Sequence, residues 1–159
     1  MDKYSTQLFI NKIGIDGPQL IGLWHPVNGV TNDGRPMTTA QQFAAELQAL
    51  LKHTNQIDLF FKPRSGGRGQ GIFCVTFIKS PTGEVAALID DNLQSVEVFL
   101  KNLPETPHSY LGETNDGWVI QGKVNQHPEL ARLNPSSLNT IRLNTYVTPQ
   151  KRIASMNNR

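Results

Sequence analysis

The chain has 159 residues, of which 38% are hydrophobic and 18% are charged, and its formal net charge is +2. This length and composition fit one folded domain with a hydrophobic core and exclude a highly charged disordered chain. No apolar run is long enough to cross a membrane. The single cysteine, Cys74, excludes an intramolecular disulfide and a cysteine-rich zinc site. From these features we expect a cytoplasmic protein.

The first third of the chain is predicted to contain two helices. Asp2 is a good helix cap and Gly14 a good stop, so a helix is expected between them, with an apolar stripe formed by Tyr4, Leu8, Ile10 and Ile13. A short extended segment over 19–24 and a Pro- and Gly-rich loop over 25–37 follow. Thr38 and Thr39, each with a glutamine three residues later, form two overlapping capping boxes. The second helix should end near His53 and bury Phe43, Leu47, Leu50 and Leu51.

Strands dominate the rest of the chain. Strands are predicted over 57–62, 72–78, 85–89, 118–124 and 140–147. The segment 72–78 is rich in β-branched and aromatic residues, and apolar and polar residues alternate over 140–147. Helical spacing of Leu93, Val96, Phe99, Leu100 and Leu103 predicts a helix that Pro104 ends, and a short helix is expected over 127–133. The pattern predicts an α+β fold, with a mainly antiparallel sheet and flanking helices. Trp118, Ile120 and Cys74 are expected in the core, and His127 is expected to be structural.

The loop between the first two strands is the segment most informative about function. Four glycines within the six residues 66–71 let the backbone adopt positive φ and turn several N–H groups toward one anion. Lys62 ends the incoming strand, so a rigid element places its ammonium at the mouth of this loop. The loop is not a P-loop, because Ile72 and Phe73 stand where Lys-Ser/Thr is required, and it joins two strands rather than a strand and a helix. A flexible lid over a triphosphate, a mobile hairpin tip with solubilising arginines and an RNA-binding arginine–glycine element all remain open.

Four blocks, in this order along the chain, resemble the ATP-grasp superfamily. The first two are Asp2-Lys3, with the turn Gly14–Pro18, and Lys62-Pro63, with the glycine-rich loop. The third is the hinge strand Trp118–Val124. The fourth is Gln126–Arg142, which looks like the signature of the sugar-transfer-associated subgroup related to α-L-glutamate ligases.

The resemblance covers residues 2 to about 148 and implies an ATP-grasp-like fold with a glycine-rich hairpin lid. It divides the chain into entry helices and a loop (about 1–55), a lid hairpin subdomain with a hinge strand (about 56–124), and the start of a C-terminal subdomain (about 125–159).

The resemblance also implies roles for individual residues, with ATP as the cofactor. Lys3 and Lys62 would neutralise the phosphates, and the hinge would hold adenine through Gln121 and backbone groups of Gly122, Lys123 and Val124. The lid would close over the β- and γ-phosphates with Ser65, Gly66, Gly67, Arg68, Gly69 and Gly71. Arg142 would be catalytic and face the transferred phosphoryl group, and Asn139 would position the loop before its strand. From the strand alternation alone, Arg142 is either a phosphate clamp or a surface arginine.

ATP-grasp ligases convert a carboxylate to an acyl phosphate with ATP, and an amine then attacks it to form an amide. Their Mg²⁺ ligands are acidic residues on strands after the one that carries Arg142, whereas no Asp or Glu follows Glu129 here. We therefore expect no metal ligand in this chain, which would be a partial ATP-grasp domain without ligase activity of its own.

Two other classes of function stay open at this stage. The chain could be a non-catalytic nucleotide-binding or scaffold relative of the fold. It could also be a basic nucleic-acid-binding domain, since five basic residues follow Glu129, but a net charge of +2 argues against this. The carboxylate and amine substrates cannot be identified from the sequence. The subgroup's name suggests cell-surface polysaccharide or peptide-like conjugates only by analogy.

Overall fold

The computed structural model describes residues 2–66, 69–80, 82–104, 116–135, 138–140, 145–147, 149 and 153–155. They belong to two compact units, Met1–Lys123 and Val124–Arg159. Every strand pair in these described residues is antiparallel, which confirms the α+β class with a mainly antiparallel sheet.

The first unit contains a sheet of seven described strands and three helices. The strands are β1 (Leu20–Trp24), β2 (Val30–Thr31), β3 (Gln56–Pro63), β4 (Phe73–Lys79), β5 (Val85–Ile89), β6 (Asn92–Ser95) and β7 (Trp118–Gly122). Their order across the sheet is β2-β1-β7-β3-β4-β5-β6, so β3 lies between β7 and its hairpin partner β4. The helices are α1 (Lys3–Lys12), α2 (Ala40–Leu50) and α3 (Val96–Lys101).

The second unit contains a short helix and a hairpin in its described part. Helix α4 (Pro128–Ala131) begins after His127, whose Nδ1 accepts a hydrogen bond from the Glu129 N–H at 3.3 Å. This contact agrees with a structural role for His127. Strands β8 (Thr145–Val147) and β9 (Ile153–Ser155) pair with each other.

The main hydrophobic core lies on one face of the seven-stranded sheet. Helices α2 and α3 contribute to it, and the side chains of Phe43, Phe61 and Phe77 are fully buried there. The Phe43 ring contacts the Phe61 and Phe77 rings edge-on, with centroids 6.3 and 5.8 Å apart. Trp118 and Ile120 also lie in this core, as the sequence predicted.

The opposite face of the sheet is covered by α1 over part of its width. Tyr4 and Leu8 of α1 pack against Leu20 and Leu23 of β1 and Val119 of β7. The adjacent β3 and β4 present half-buried or exposed side chains on this face. The candidate site lies here, beside the N-terminal end of α1.

Several element predictions differ from the structure. Ile13 is 52% exposed, although it was predicted in the apolar stripe of α1. Leu93 is 58% exposed on β6 rather than part of a helix, because the chain makes a strand before Ser95 caps α3. Helix α2 ends at Leu50, slightly before the predicted end, and β2 and β9 were not predicted.

Candidate functional site

The glycine-rich loop follows β3, and its glycines adopt a conformation that other residues avoid. Gly66, Gly69 and Gly71 have φ values of 98°, 73° and 70°. A Cβ atom built on Gly66 or Gly69 would meet nothing within 4 Å, so the backbone conformation and not lack of space requires glycine at these positions. Gly67 and Arg68 lie outside the described residues, and their roles stay predictions.

Lys3 holds the first residues of this loop in place. An ammonium group has three N–H donors, and the structure gives each donor of Lys3 a carbonyl acceptor. The distances from Nζ are 2.8, 3.0 and 3.1 Å to the carbonyl oxygens of Pro63, Ser65 and Gly66. The Lys3 backbone N–H also donates to the Arg64 carbonyl at 2.9 Å. The side chain predicted to neutralise phosphate therefore binds the root of the loop.

An ion pair connects the same two segments. Asp2 caps α1 through Oδ1, which accepts from the backbone N–H groups of Tyr4 and Ser5 at 3.0 and 3.1 Å. Its Oδ2 accepts from Nε and Nη2 of Arg64 at 3.0 and 2.7 Å. Partial burial raises the pKa of Asp2, but the Arg64 hydrogen bond and the Ser5 contacts outweigh it and lower the pKa from 3.8 to about 2.

This pair predicts how stability changes in acid. Because the pKa of Asp2 is lower in the folded chain, its contribution is complete above the unfolded value of 3.8 and is lost as the pH falls toward about 2. We expect Asp2→Asn to reduce the free energy of unfolding at about pH 5, and the difference from wild type to shrink toward about pH 2. Urea unfolding at several pH values measures it, with the exposed Asp16→Asn as the control. A difference that does not vary with pH would contradict the pair's role.

Lys62 lies on β3 with its ammonium half-buried and without a carboxylate partner among the described residues. Its Nζ donates a 2.6 Å hydrogen bond to Oε1 of Gln121 on β7. Burial lowers the pKa of Lys62, and the nearby positive charge of Lys3 lowers it further. An ammonium group that has no carboxylate partner and lies close to a second positive charge favours an anion beside it.

The side chains around Lys62 define a surface that we call the open face. It consists of three residues on β3 and two on β4, namely Asp58, Phe60, Lys62, Cys74 and Thr76. Phe60 is directly opposite Cys74, and Asp58 is directly opposite Thr76, so all five share one side of the sheet. The Lys62 Nζ lies 6.0 Å from the centroid of the Phe60 ring. A cationic group beside an aromatic ring can bind a ligand that combines negative charge with a flat apolar part.

Cys74 is exposed, so the prediction of a buried core cysteine is wrong. The strand was read correctly, but its alternation places Val75 and Phe77 in the core and Cys74 on the open face. Partial burial raises the pKa of the thiol, and the charge of Asp58 adds to this. The side chain is therefore a weakly reactive but accessible reporter of events on the open face.

The hinge residues predicted to bind adenine lie at and beyond the end of β7. Gln121 is buried, and its amide contacts Lys62 and Gln7. The backbone N–H of Gly122 donates to the Gln19 carbonyl at 2.8 Å, and that of Lys123 to the Asp58 carbonyl at 3.2 Å. The Lys123 side chain forms a 2.8 Å ion pair with Asp58. Backbone recognition of adenine by Gly122, Lys123 and Val124 stays a prediction.

In the second unit, Asn139 organises the loop around α4. Its Nδ2 donates to the carbonyls of Leu130 and Asn134 at 2.8 and 3.0 Å and to Oε1 of Gln126 at 3.0 Å. Its backbone N–H also donates to Gln126 Oε1. These bonds hold the loop around α4 together, and the role of Asn139 in positioning the loop before the Arg142 strand stays a prediction. Arg142 lies outside the described residues, so its catalytic role stays a prediction.

The structure also adds residues that sequence reasoning missed. Gln7 is the most buried residue of α1, although its polarity pointed to the surface, and its Oε1 accepts from Gln121 Nε2 at 3.0 Å. The Ser65 hydroxyl and one oxygen of Asp116 are buried and have no hydrogen-bond partner in the described part of the chain. The sequence does contain one indication that Gln7 belongs to the site: it follows Lys3 by one helical turn, which places both side chains on the same face of α1.

A cavity of about 370 Å³ lies elsewhere, on the core side of the sheet. Trp24, Leu100 and Trp118 line it, together with Pro26, Ala40, Lys101, Leu103 and Pro104. It contains none of the predicted site residues. The Lys62 ammonium, which has no carboxylate partner among the described residues, lies on the open face. We place the candidate site there because charge, rather than cavity size, decides where an anion binds.

Two further observations concern metals and membranes. Within the described ranges, no group of three or more His, Cys, Asp or Glu residues is arranged to hold a metal ion. None of the described helices is long and apolar enough to span a bilayer.

The chain is similar to a known protein family. The model of a family described as sugar-transfer associated ATP-grasp matches residues 1–157, nearly the whole chain. No curated protein and no solved structure matches.

Proposed function

Because the chain belongs to the sugar-transfer associated ATP-grasp family, we propose that it binds the triphosphate of ATP beside Lys62, on the open face. One observation carries the proposal: the Lys62 ammonium is half-buried, has no carboxylate partner in the described residues and lies close to the charge of Lys3. Burying a charge without an opposite charge costs free energy. A site that binds an anion explains why this chain keeps such an arrangement.

The proposed contacts follow from the donors that remain. Lys62 uses one of its three N–H groups on Gln121, which leaves two for phosphate oxygens. Lys3 adds positive charge, while its own donors hold the loop root. The N–H groups of the glycine-rich loop, including those of Ser65 and Gly69, complete the phosphate contacts as a lid. Adenine would lie toward the hinge at Gly122 and Lys123, near the aromatic ring of Phe60.

We further propose that this nucleotide site serves a ligase that joins a carboxylate and an amine. A carboxylate oxygen attacks the γ-phosphorus of ATP and ADP leaves, and the amine then attacks the acyl carbon and phosphate leaves. Arg142 would stabilise the transferring phosphoryl group. Mg²⁺ bound to ATP would neutralise phosphate charge, but the described residues offer no cluster of ligands for it. The proposal therefore rests on the contacts of lysine and backbone N–H groups with phosphate.

Binding can be tested without mutation by using Cys74, the only cysteine of the chain. Cys74 and Lys62 are diagonal neighbours on β4 and β3, and such side chains lie about 7–8 Å apart. We expect a saturating non-hydrolysable ATP analogue to slow labelling of the Cys74 thiol severalfold at mildly alkaline pH. Calorimetry on the same protein measures the affinity. Adenosine at the same concentration, which lacks the phosphates, is the control and should protect much less. Calorimetric binding without Cys74 protection would place the nucleotide elsewhere, and no binding would refute the proposal.

A further inference from the structure

A chain of side-chain amides, two of them buried, runs from Lys62 into α1. Lys62 Nζ donates to Gln121 Oε1 at 2.6 Å, Gln121 Nε2 donates to Gln7 Oε1 at 3.0 Å, and Gln7 Nε2 donates to Asn11 Oδ1 at 2.9 Å. Gln121 and Gln7 are 5% and 8% exposed. Buried amides are costly unless they are hydrogen-bonded, so this chain satisfies groups that would otherwise destabilise the fold.

The direction of every bond in this chain follows from its charged end. An ammonium group only donates hydrogen bonds, so the carbonyl end of the Gln121 amide must face Lys62. Its NH₂ end must then face the Gln7 carbonyl, and the Gln7 NH₂ must face Asn11. The orientation of each amide is therefore fixed by chemistry, and α1 restrains the position of the Lys62 ammonium through two intermediates.

The acceptor for Lys62 is neutral, and this determines the electrostatics of the site. A carboxylate in place of the Gln121 amide would hold the ammonium equally well but would cancel its charge. The amide fixes the geometry and leaves the full positive charge on Lys62, beside that of Lys3. The repulsion between the two lysines is relieved when a multiply charged anion binds.

We propose that Gln121, held by Gln7, is a positioning residue that orients Lys62 toward the phosphates of the ligand while leaving its charge unneutralised. The inference rests on the proposed function and assigns Gln121 to the phosphate end of the ligand instead of adenine. Both ends of its amide are already engaged within the protein. Under this proposal Gln121 holds Lys62 rather than adenine, which differs from the role that the resemblance implied.

The test is Gln121→Glu, which adds a negative charge beside Lys62 and leaves the shape of the side chain almost unchanged. Gln7 can turn its amide to donate to the new carboxylate, so the fold can tolerate the change. We expect affinity for inorganic tripolyphosphate and for a non-hydrolysable ATP analogue to fall by the same factor, about tenfold. The control is Gln48→Glu on the exposed surface of α2, which changes the net charge equally and should alter both affinities less than twofold.

A second readout follows the pKa of Lys62 directly, by NMR titration of its side-chain methylene group next to Nζ. Gln121→Glu should raise this pKa, whereas Gln48→Glu should leave it unchanged. If Gln121→Glu does not fold, Gln7→Met provides the second variant. It removes the support of Gln121 and should weaken tripolyphosphate binding severalfold.

The outcomes separate the two proposals. Loss of affinity for the ATP analogue with unchanged tripolyphosphate binding would show that Gln121 contacts the nucleoside, and would overturn the inference. An unchanged Lys62 pKa in Gln121→Glu would overturn it as well. If the wild type binds neither ligand, the proposed function fails. The Lys62 titration then still tests whether the side chain at position 121 determines the pKa of Lys62.

Discussion

Lys62→Met is expected to weaken binding of an ATP analogue by about 10- to 100-fold. A hydrogen bond with a charged partner is worth about 1.5–3 kcal/mol, and each 1.4 kcal/mol corresponds to a factor of ten in affinity. Met retains most of the length and apolar contacts of the lysine stem, so the change removes the charge and little packing. Calorimetric titration of wild type and variant with the same ligand measures the difference.

The free energy of unfolding should change little in this variant. Loss of Lys62 leaves the buried Gln121 oxygen without its donor, which costs about 1–3 kcal/mol. It also removes a half-buried ammonium that is destabilised by burial and by Lys3, and this gain acts in the opposite direction. A residue kept for packing would show the reverse pattern, with a large loss of stability and little effect on affinity.

The matched control for Lys62 is Lys79→Met, at the far end of the neighbouring strand β4, where the side chain is exposed. It removes the same charge from the same sheet and should change affinity less than twofold. Equal loss of affinity in both variants would mean that net charge, and not the position of Lys62, drives binding. Equal affinity of Lys62→Met and wild type would refute the site.

The hairpin that carries Lys62 could be predicted from sequence, because its signals are local. Short runs of apolar, β-branched and aromatic residues predicted β3 and β4, and four closely spaced glycines predicted the loop between them. Capping at Asp2 and Thr39 was predicted for the same reason, since each cap depends only on residues within one helical turn.

The contacts that organise the candidate site are long-range, and sequence patterns do not carry them. Lys3 and Gly66 are 63 positions apart, and Gln7 and Gln121 are 114 positions apart. A propensity rule places a glutamine on the exposed side of α1. Gln7 is buried instead, because its side-chain oxygen accepts a hydrogen bond from the buried amide of Gln121. Cys74 was misassigned because its strand is apolar overall, and only the pairing with Phe60 shows which face it occupies.

Lys3→Met is expected to destabilise the first unit and to loosen the glycine-rich loop at its root. The substitution leaves the carbonyls of Pro63, Ser65 and Gly66 without the ammonium that binds them. Lys3 is partly exposed, so water replaces some of these bonds, and we expect a loss of about 1–3 kcal/mol in the free energy of unfolding. Urea unfolding measures this loss. Amide hydrogen exchange at Ser65 and Gly66 should accelerate relative to the sheet.

Lys12→Met, at the other end of α1, is the control for Lys3→Met because it removes the same charge from the same helix. Lys12 is exposed, so stability and loop exchange should be close to wild type. Affinity for the ATP analogue should fall in Lys3→Met even at temperatures where it is fully folded, because a loosened loop must be ordered when the ligand binds. If Lys3 acted only as a phosphate ligand, affinity would fall while stability and exchange at Ser65 and Gly66 stayed as in wild type. That pattern would contradict its role at the loop root.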